Sequence, residues 1–186
     1  MRSIAILMMT ICGAVCAQTP EKAPPAPMTV ARLYDSQLRT IESELVPLAE
    51  AMPAEKYNFA PTQGEFAKVR TFALQVRHVA TTLYMIGAAV QKVKNPVDQG
   101  TSENGPDTLK SKEDIVKFLK DAFAFTHKGL QMLTAENQLE MVPSPFGGGS
   151  AARGGIASAA VWHSFDHYGQ MVVYARMNGI VPPASR

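Results

Sequence analysis

Apolar residues recur at helical spacing in four separate stretches of this chain. In the first, Val30, Leu33, Leu38, Ile41, Leu45 and Leu48 follow Thr29, a residue type suited to capping a helix N-terminus; Pro47 kinks that helix or marks its last turns, and Pro53 ends it. The second is expected from about Glu65 to Val93, with its tightest apolar line through Val69, Phe72, Val76, Val79, Leu83, Ile86 and Val90. A second line on it, Thr71, Gln75, His78, Thr82 and Met85, is polar but uncharged, which suits an internal polar site. The third begins at Ser111-Lys-Glu-Asp114, a capping-box-like start, and reaches about Thr134. The fourth covers Ile156 to Met177 and stops at Asn178-Gly179, ahead of Pro182-Pro183.

These elements predict an all-α fold, a four-helix bundle with long connections between helices two and three (Asn95 to Lys110) and three and four (Ala135 to Gly155). The second connection ends in a Gly-rich run over 146–155, which at that length is either a lid or disordered. It is no phosphate loop, because the Lys-Ser/Thr ending is missing and no strand precedes it. The segment Pro53 to Gly64 is expected to lay Tyr57 and Phe59 over one end of the bundle. No convincing strand, repeat or nucleophile elbow is visible.

Composition narrows the function. With 186 residues, 46% hydrophobic and 18% charged, the chain has length for one domain with a real core. A formal charge of +2 and the lack of a Lys/Arg run argue against nucleic acid as a partner. Arg2, the apolar Ile4 to Ile11 and Val15-Cys16-Ala17 together read as a signal peptide over residues 1–17, too short in its apolar part for a permanent membrane span. Residues 18–28 read as a Pro-rich leader, and 29–186 as the folded domain. The expected destination is the periplasm or the exterior. Both cysteines, Cys12 and Cys16, fall in the cleaved segment, so the mature protein would have no disulfide and no thiolate nucleophile.

Chemistry concentrates in the fourth helix. His163 and His167 stand i, i+4, which puts both imidazoles on one helix face with Cβ atoms roughly 6 Å apart. Either they are core or surface residues, or they ligate one metal ion, and then a third ligand must come from elsewhere. At ordinary imidazole pKa values such an ion would be lost below about pH 6. Gln170 and Tyr174 continue the histidine stripe; Asp166 and Gln170 are candidates to orient a ligand from behind, although Asp166 points about 100° away from His167. Since Asp166 and Arg176 are the only formal charges from Ile156 to Met177, most of this helix should be buried, with Trp162, Phe165 and Val172 packed against the other three. His127, beside Lys128 and without a partner at ligand spacing, reads as a surface or boundary residue.

Two segments carry a resemblance. Phe72-Ala-Leu-Gln-Val-Arg-His78-Val-Ala-Thr and His163-x-x-x-His167-Tyr-Gly-Gln170, with the ending Arg176-Met-Asn-Gly-Ile-Val-Pro-Pro, resemble the DinB-like family over about Val30 to Pro183. The resemblance implies a four-helix bundle in which His78, His163 and His167 hold a divalent metal, Zn²⁺, Ni²⁺ or similar. Tyr168 departs from the family's pattern, in which Arg is common there. Some members activate a low-molecular-weight thiol, so the resemblance implies a metal-dependent transferase of the thiol type or a hydrolase acting on a small-molecule substrate. A non-catalytic protein that binds metal or a small ligand in the cell envelope is the alternative, and a homodimer is compatible with either.

Overall fold

The structure, a computed structural model, describes residues 26–186; the expected signal peptide and most of the leader lie outside the described residues. Four helices, α1 (Val30–Ala51), α2 (Phe72–Gln91), α3 (Lys112–Leu130) and α4 (Arg153–Met177), pack into a bundle, joined by two single 3₁₀ turns and one short hairpin, β1 (Met141–Pro143) and β2 (Ser150–Ala152), with a third 3₁₀ turn after α4. Its core is drawn from all four: Leu38, Ile41, Leu45 and Leu48 of α1, Phe72, Val76, Leu83 and Ile86 of α2, Ile115, Leu119 and Phe123 of α3, and Ile156, Ala160 and Met171 of α4. Among the described residues no helix is long and apolar enough to cross a membrane.

Side-chain caps set three of the four starts. The hydroxyls of Thr29, Thr71 and Ser111 accept from the amides of Arg32, Leu74 and Asp114. The cap at Thr71 corrects the expected start of α2. Residues 65–70 are not helical, because the chain turns at Gly64 (φ 99°) and Lys68 (φ 65°). The first free amides of α2, on Phe72 and Ala73, instead donate to the carbonyls of Phe59 and Tyr57 in the connector. Tyr57 is buried as expected, its hydroxyl donating to the Ala49 carbonyl and its ring meeting Phe72 edge-on; Phe59 meets Tyr174 in the same way. Pro47 falls inside α1, one turn before its end.

Closest approach is between α2 and α3. A Cβ on Gly87 would stand 2.8 Å from the Phe125 ring and 3.2 Å from the Thr126 Cα, and one on Gly129 3.2 Å from the Gly87 carbonyl oxygen. The two glycines let these backbones meet more closely than any side chain would allow.

The connection from Ala135 to Gly155 is ordered, and it contains strands that the sequence pattern does not show. Met141 pairs with Ala152, Val142 with Ala151 and Pro143 with Ser150, around a turn in which Gly147, Gly148 and Gly149 all have positive φ. Strands of three residues give no period to detect, and their register is set from outside. Arg153, buried, donates through Nε to the Val90 carbonyl and through Nη1 to Glu140, while the amides of Arg153 and Gly154 donate to Glu140 and Gln138. Helix α4 therefore begins at Arg153 and absorbs Gly154 and Gly155, and a side chain on Gly154 would meet the Tyr34 hydroxyl at 2.9 Å.

Helix α4 is also less buried than its shortage of charge suggests. Trp162 is 60% exposed and Phe165 37%, contrary to the expected packing, while Val172 is partly buried against the core. Charge depletion reports how few ions a helix carries, not which way it faces. Here the core-facing side of α4 is made by Ile156, Ala160, Ser164, Met171 and Ala175, and Trp162 lies on the opposite side.

Candidate metal centre

Helices α2 and α4 run antiparallel, so that Gln75 meets Gln170 and Val90 meets Arg153. His78, on α2, thereby faces the i, i+4 pair of α4. One ring nitrogen from each of His78, His163 and His167 lies within 4.8 Å of the others. Ring centroids are 4.5–5.0 Å apart, and the Nε2 atoms of His78 and His163 are separated by 3.2 Å. His78 and His167 are buried; His163 is half-buried.

Which nitrogens are free follows from the hydrogen bonds behind them. His78 Nδ1 donates to the Glu103 carbonyl at 3.0 Å, leaving Nε2 with a lone pair. His167 Nδ1 donates to Gln75 Oε1 at 2.5 Å. The Gln75 amide nitrogen donates to Gln170 Oε1, and the Gln170 amide nitrogen to Asp166 Oδ2, at 2.9 and 3.2 Å. Two amides thus relay the direction of a carboxylate to His167 and fix its tautomer.

The support for His78 comes from the loop after α2. Arg77 donates to the carbonyls of Gly105 and Pro106 and to Asp107, and Arg70 to Asn104 Oδ1 and the Ser102 carbonyl. A Cβ at Gly105 would stand 2.6 Å from Thr81 Oγ1, so the loop can approach α2 this closely only with glycine there.

Burial holds the cluster neutral. It pushes His163 down to about 3, helped by His167 and His78, with Asp166 opposing; it pushes His167 down to about 4, helped by His78 and Arg70. His78 is lowered by burial and by Arg70, against the pull of Glu103. His78 Nε2 and His163 Nε2, 3.2 Å apart, either share the proton of the His163 ring in a hydrogen bond or, with that proton on His163 Nδ1, offer two lone pairs to a cation between them. A tetrahedral ion with bonds of about 2.0–2.1 Å separates its ligand nitrogens by roughly 3.3–3.4 Å. The donor set fits a divalent ion of the zinc type in chemistry and in spacing.

The other sequence candidates occupy outer positions. Gln170 and Asp166 touch His167 only through Gln75, and the Tyr174 hydroxyl, buried, donates to the Arg70 carbonyl at the foot of α2. Gln75 itself is the direct partner; its signal was its place three residues before His78 on the uncharged stripe. The Glu103 contribution is a backbone carbonyl and leaves no signal in residue identity.

His127 is not a surface residue. It is buried between α1 and α3, with Nδ1 against Asp35 Oδ1 at 2.6 Å and Nε2 against Glu42 Oε2 at 3.0 Å. Burial alone would lower its pKa, but the bonds to Glu42 and Asp35 outweigh it and raise the value. Local sequence could not show this, because both partners lie about 90 residues away.

Comparison with known proteins agrees with the fold. The structure is similar to that of a DinB-like protein from Bacillus subtilis, at 16% identity and a TM-score of 0.60, covering 79% of this chain and 92% of that one. It is likewise similar to a DinB-like protein from Bacillus cereus, at 16% identity and a TM-score of 0.64, covering 81% and 93%. No curated protein matches the sequence. The sequence profile of the DinB superfamily matches residues 37–171, well over half of the chain, and the protein belongs to that family.

Proposed function

We propose that His78, His163 and His167 hold one divalent ion, Zn²⁺ or Ni²⁺, through their Nε2 atoms, and that the protein is an exported metal-dependent transferase of the thiol type or a hydrolase. The observation that carries the reading is the convergence of the three imidazoles, two with Nδ1 committed to fixed acceptors and two with Nε2 atoms 3.2 Å apart. When bound, such an ion supplies Lewis acidity and lowers the pKa of a coordinated water or thiol towards neutrality.

The chain's own residues divide the remaining work. Glu103 and Gln75 aim the rings of His78 and His167 and fix which nitrogen carries the proton. Gln170 and Asp166 hold Gln75 in the orientation in which its oxygen accepts from His167. Burial keeps the imidazoles in the unprotonated form that ligation needs.

The test is metal analysis of protein purified from the envelope fraction of its native host, followed by turnover on thiol conjugates, esters and amides with and without added metal. Stoichiometric metal with metal-dependent turnover is the expected result. Stoichiometric metal without turnover on any class leaves the non-catalytic binding protein. Metal-free protein that gains none on dialysis against Zn²⁺ or Ni²⁺ overturns the reading, and recovery from the cytoplasmic fraction alone overturns export.

A further inference from the structure

Beside the three histidines lies a polar cleft of about 430 Å³, walled by Lys68, Arg70, Gln75, Ser102, Asn104 and Gln170. Two of these, Gln75 and Gln170, are the amides that support His167, so the cleft shares a wall with the candidate metal centre.

Arg70 is fixed there in advance of any ligand. Its Nε donates to Asn104 Oδ1 at 2.8 Å and its Nη2 to the Ser102 carbonyl at 2.9 Å, both neutral acceptors. Among the described residues it has no carboxylate within salt-bridge distance, and its Nη1 has no protein acceptor. The side chain is half-buried, which disfavours its charged form, and the Glu103 carboxylate, though not salt-bridged to it, offsets this only in part. Arg70 holds the carbonyl of Ser102, next in the chain to Glu103, whose own carbonyl accepts from His78 Nδ1, which places the guanidinium close to the centre. A half-buried cation hydrogen-bonded only to neutral acceptors is costly even with Glu103 nearby, and beside a divalent ion it is costlier, unless an anion lies between the two.

Backbone conformation marks the same place. Lys68 (φ 65°), Ser102 (φ 55°) and Glu103 (φ 57°) are non-glycine residues in the left-handed region, and all three border the cleft or the centre. Such conformations are unfavourable by about 1–3 kcal/mol each and persist where surrounding structure demands them. Here they place Lys68 at the mouth, the Ser102 carbonyl on Arg70 and the Glu103 carbonyl on His78. The negative groups nearby are Asp166, whose Oδ2 is occupied by Gln170, and Glu103, which makes no salt bridge to Arg70.

We infer that this cleft is the subsite for an oxyanion of the substrate, a carboxylate or a phosphate, gripped by Arg70 and Lys68 so that the reactive end of the molecule faces His78, His163 and His167. An Arg fork with one edge already tied to Asn104 and Ser102 presents its other edge in fixed orientation, which suits a planar or tetrahedral oxyanion. The inference rests on the metal-centre reading only for what the reactive end meets; the cleft itself binds the anion with or without the ion.

The test uses succinate and inorganic phosphate as probes, titrated into the metal-stripped and the Zn²⁺-loaded full chain, with binding followed by NMR shifts of the Arg70 Nε–H and the Ser102 and Asn104 amides. Saturable binding to the metal-stripped protein is expected, weakened at least tenfold in Arg70→Gln, less in Lys68→Ala and in Arg70→Lys, which keeps the charge but loses the fork, and retained in His163→Ala. Preference for succinate assigns a carboxylate, and preference for phosphate a phosphate ester. Wild-type affinity in both Arg70→Gln and Lys68→Ala overturns the inference, as does the lack of saturable binding to either probe. Binding that survives Arg70→Gln but vanishes on metal removal puts the anion on the ion alone; it overturns the subsite and leaves the metal reading standing. If no metal binds but Arg70→Gln still loses the probe, the metal reading falls and the subsite stands.

Discussion

The Nε2 atoms of His78 and His163 face each other across the α2–α4 interface at 3.2 Å, although 85 residues separate them in the chain. His78 Nε2 is a lone-pair acceptor, because its Nδ1 donates to the Glu103 carbonyl, and burial keeps both rings neutral. With its proton on Nδ1, His163 offers a second lone pair at the same point, and a divalent ion then satisfies both nitrogens without protonating either ring. Four outcomes are open to measurement, two of them at this site.

Replacing His163 by Ala should abolish stoichiometric metal binding while the far-ultraviolet CD spectrum remains helical, because the apolar faces of the bundle supply most of its stability. His78→Ala and His167→Ala should behave alike. In wild type, metal at 100 times its Kd should add about 2.7 kcal/mol of stability, removed by chelator. The pH dependence is set by burial. Unfolded imidazoles titrate near 6.5, whereas those of His163 and His167 in the fold lie at about 3 and about 4. Between those values the unfolded chain binds more protons, so the metal-free protein should lose stability as pH falls below about 6.5. Metal retention should extend below the pH 6 expected for ordinary imidazoles. Equal metal content in wild type and His163→Ala would contradict the shared site.

Gln75→Leu should weaken metal binding by about 10–100-fold, because it removes the acceptor that orients His167. Gln75→Glu keeps an acceptor at the same place and should retain most of the affinity. Competition with a chromogenic chelator measures both. Asp166→Asn, two amides further back, should change the affinity less than Gln75→Leu.

His127 gives the opposite pH signature from the metal centre. Its folded pKa is raised above 6.5, so its contribution to stability is fully present below about pH 6.5 and is lost as pH rises through the folded value. Asp35 works from the other side: burial would raise its pKa, but the bonds to Arg39 and His127 outweigh that and lower it, so its contribution is lost only in acid. The stability difference between wild type and His127→Gln in urea denaturation should therefore grow from pH 8 to pH 6. A constant difference would show that the Asp35–His127–Glu42 contacts are made by a neutral ring.

Trp162→Ala should cost less than about 1 kcal/mol, because its indole is 60% exposed. Phe72→Ala, at 0% exposure and packed edge-on against Tyr57, should cost about 3–5 kcal/mol. Denaturation of the two variants side by side separates these values well beyond experimental error. A loss of 3 kcal/mol or more at Trp162 would mean that the indole is buried and that α4 faces the core with its other side.

Much of the helical frame was legible because it is written locally. Thr29 and Ser111 cap their helices where expected, and the apolar periods of α1 and α3 identify the faces that are buried. The start of α2 was misplaced because Glu65 to Arg70 has helical composition, while the decisive bonds run from Phe72 and Ala73 to Phe59 and Tyr57, outside the segment's own pattern. The three histidines could be grouped because the sequence carries them in recognisable segments. Their support could not, apart from the hint that Gln75 shares a stripe with His78.

What the sequence determined by itself is what a period of 3.6 residues, a cap or a terminator can encode: four amphipathic helices, their approximate ends, and a face of α4 that carries His163 and His167. What only the tertiary structure decided is everything that requires two distant segments to meet. The antiparallel seating of α2 on α4 brings His78 to the pair; Arg77 and Arg70 pin the loop that offers the Glu103 carbonyl; Asp35 and Glu42 enclose His127; and the hairpin sets the start of α4 at Arg153. The physical reason is one of range. Helical propensity and amphipathicity act within a turn or two of the chain, whereas hydrogen bonds, burial and charge act through space between whatever residues packing has made neighbours.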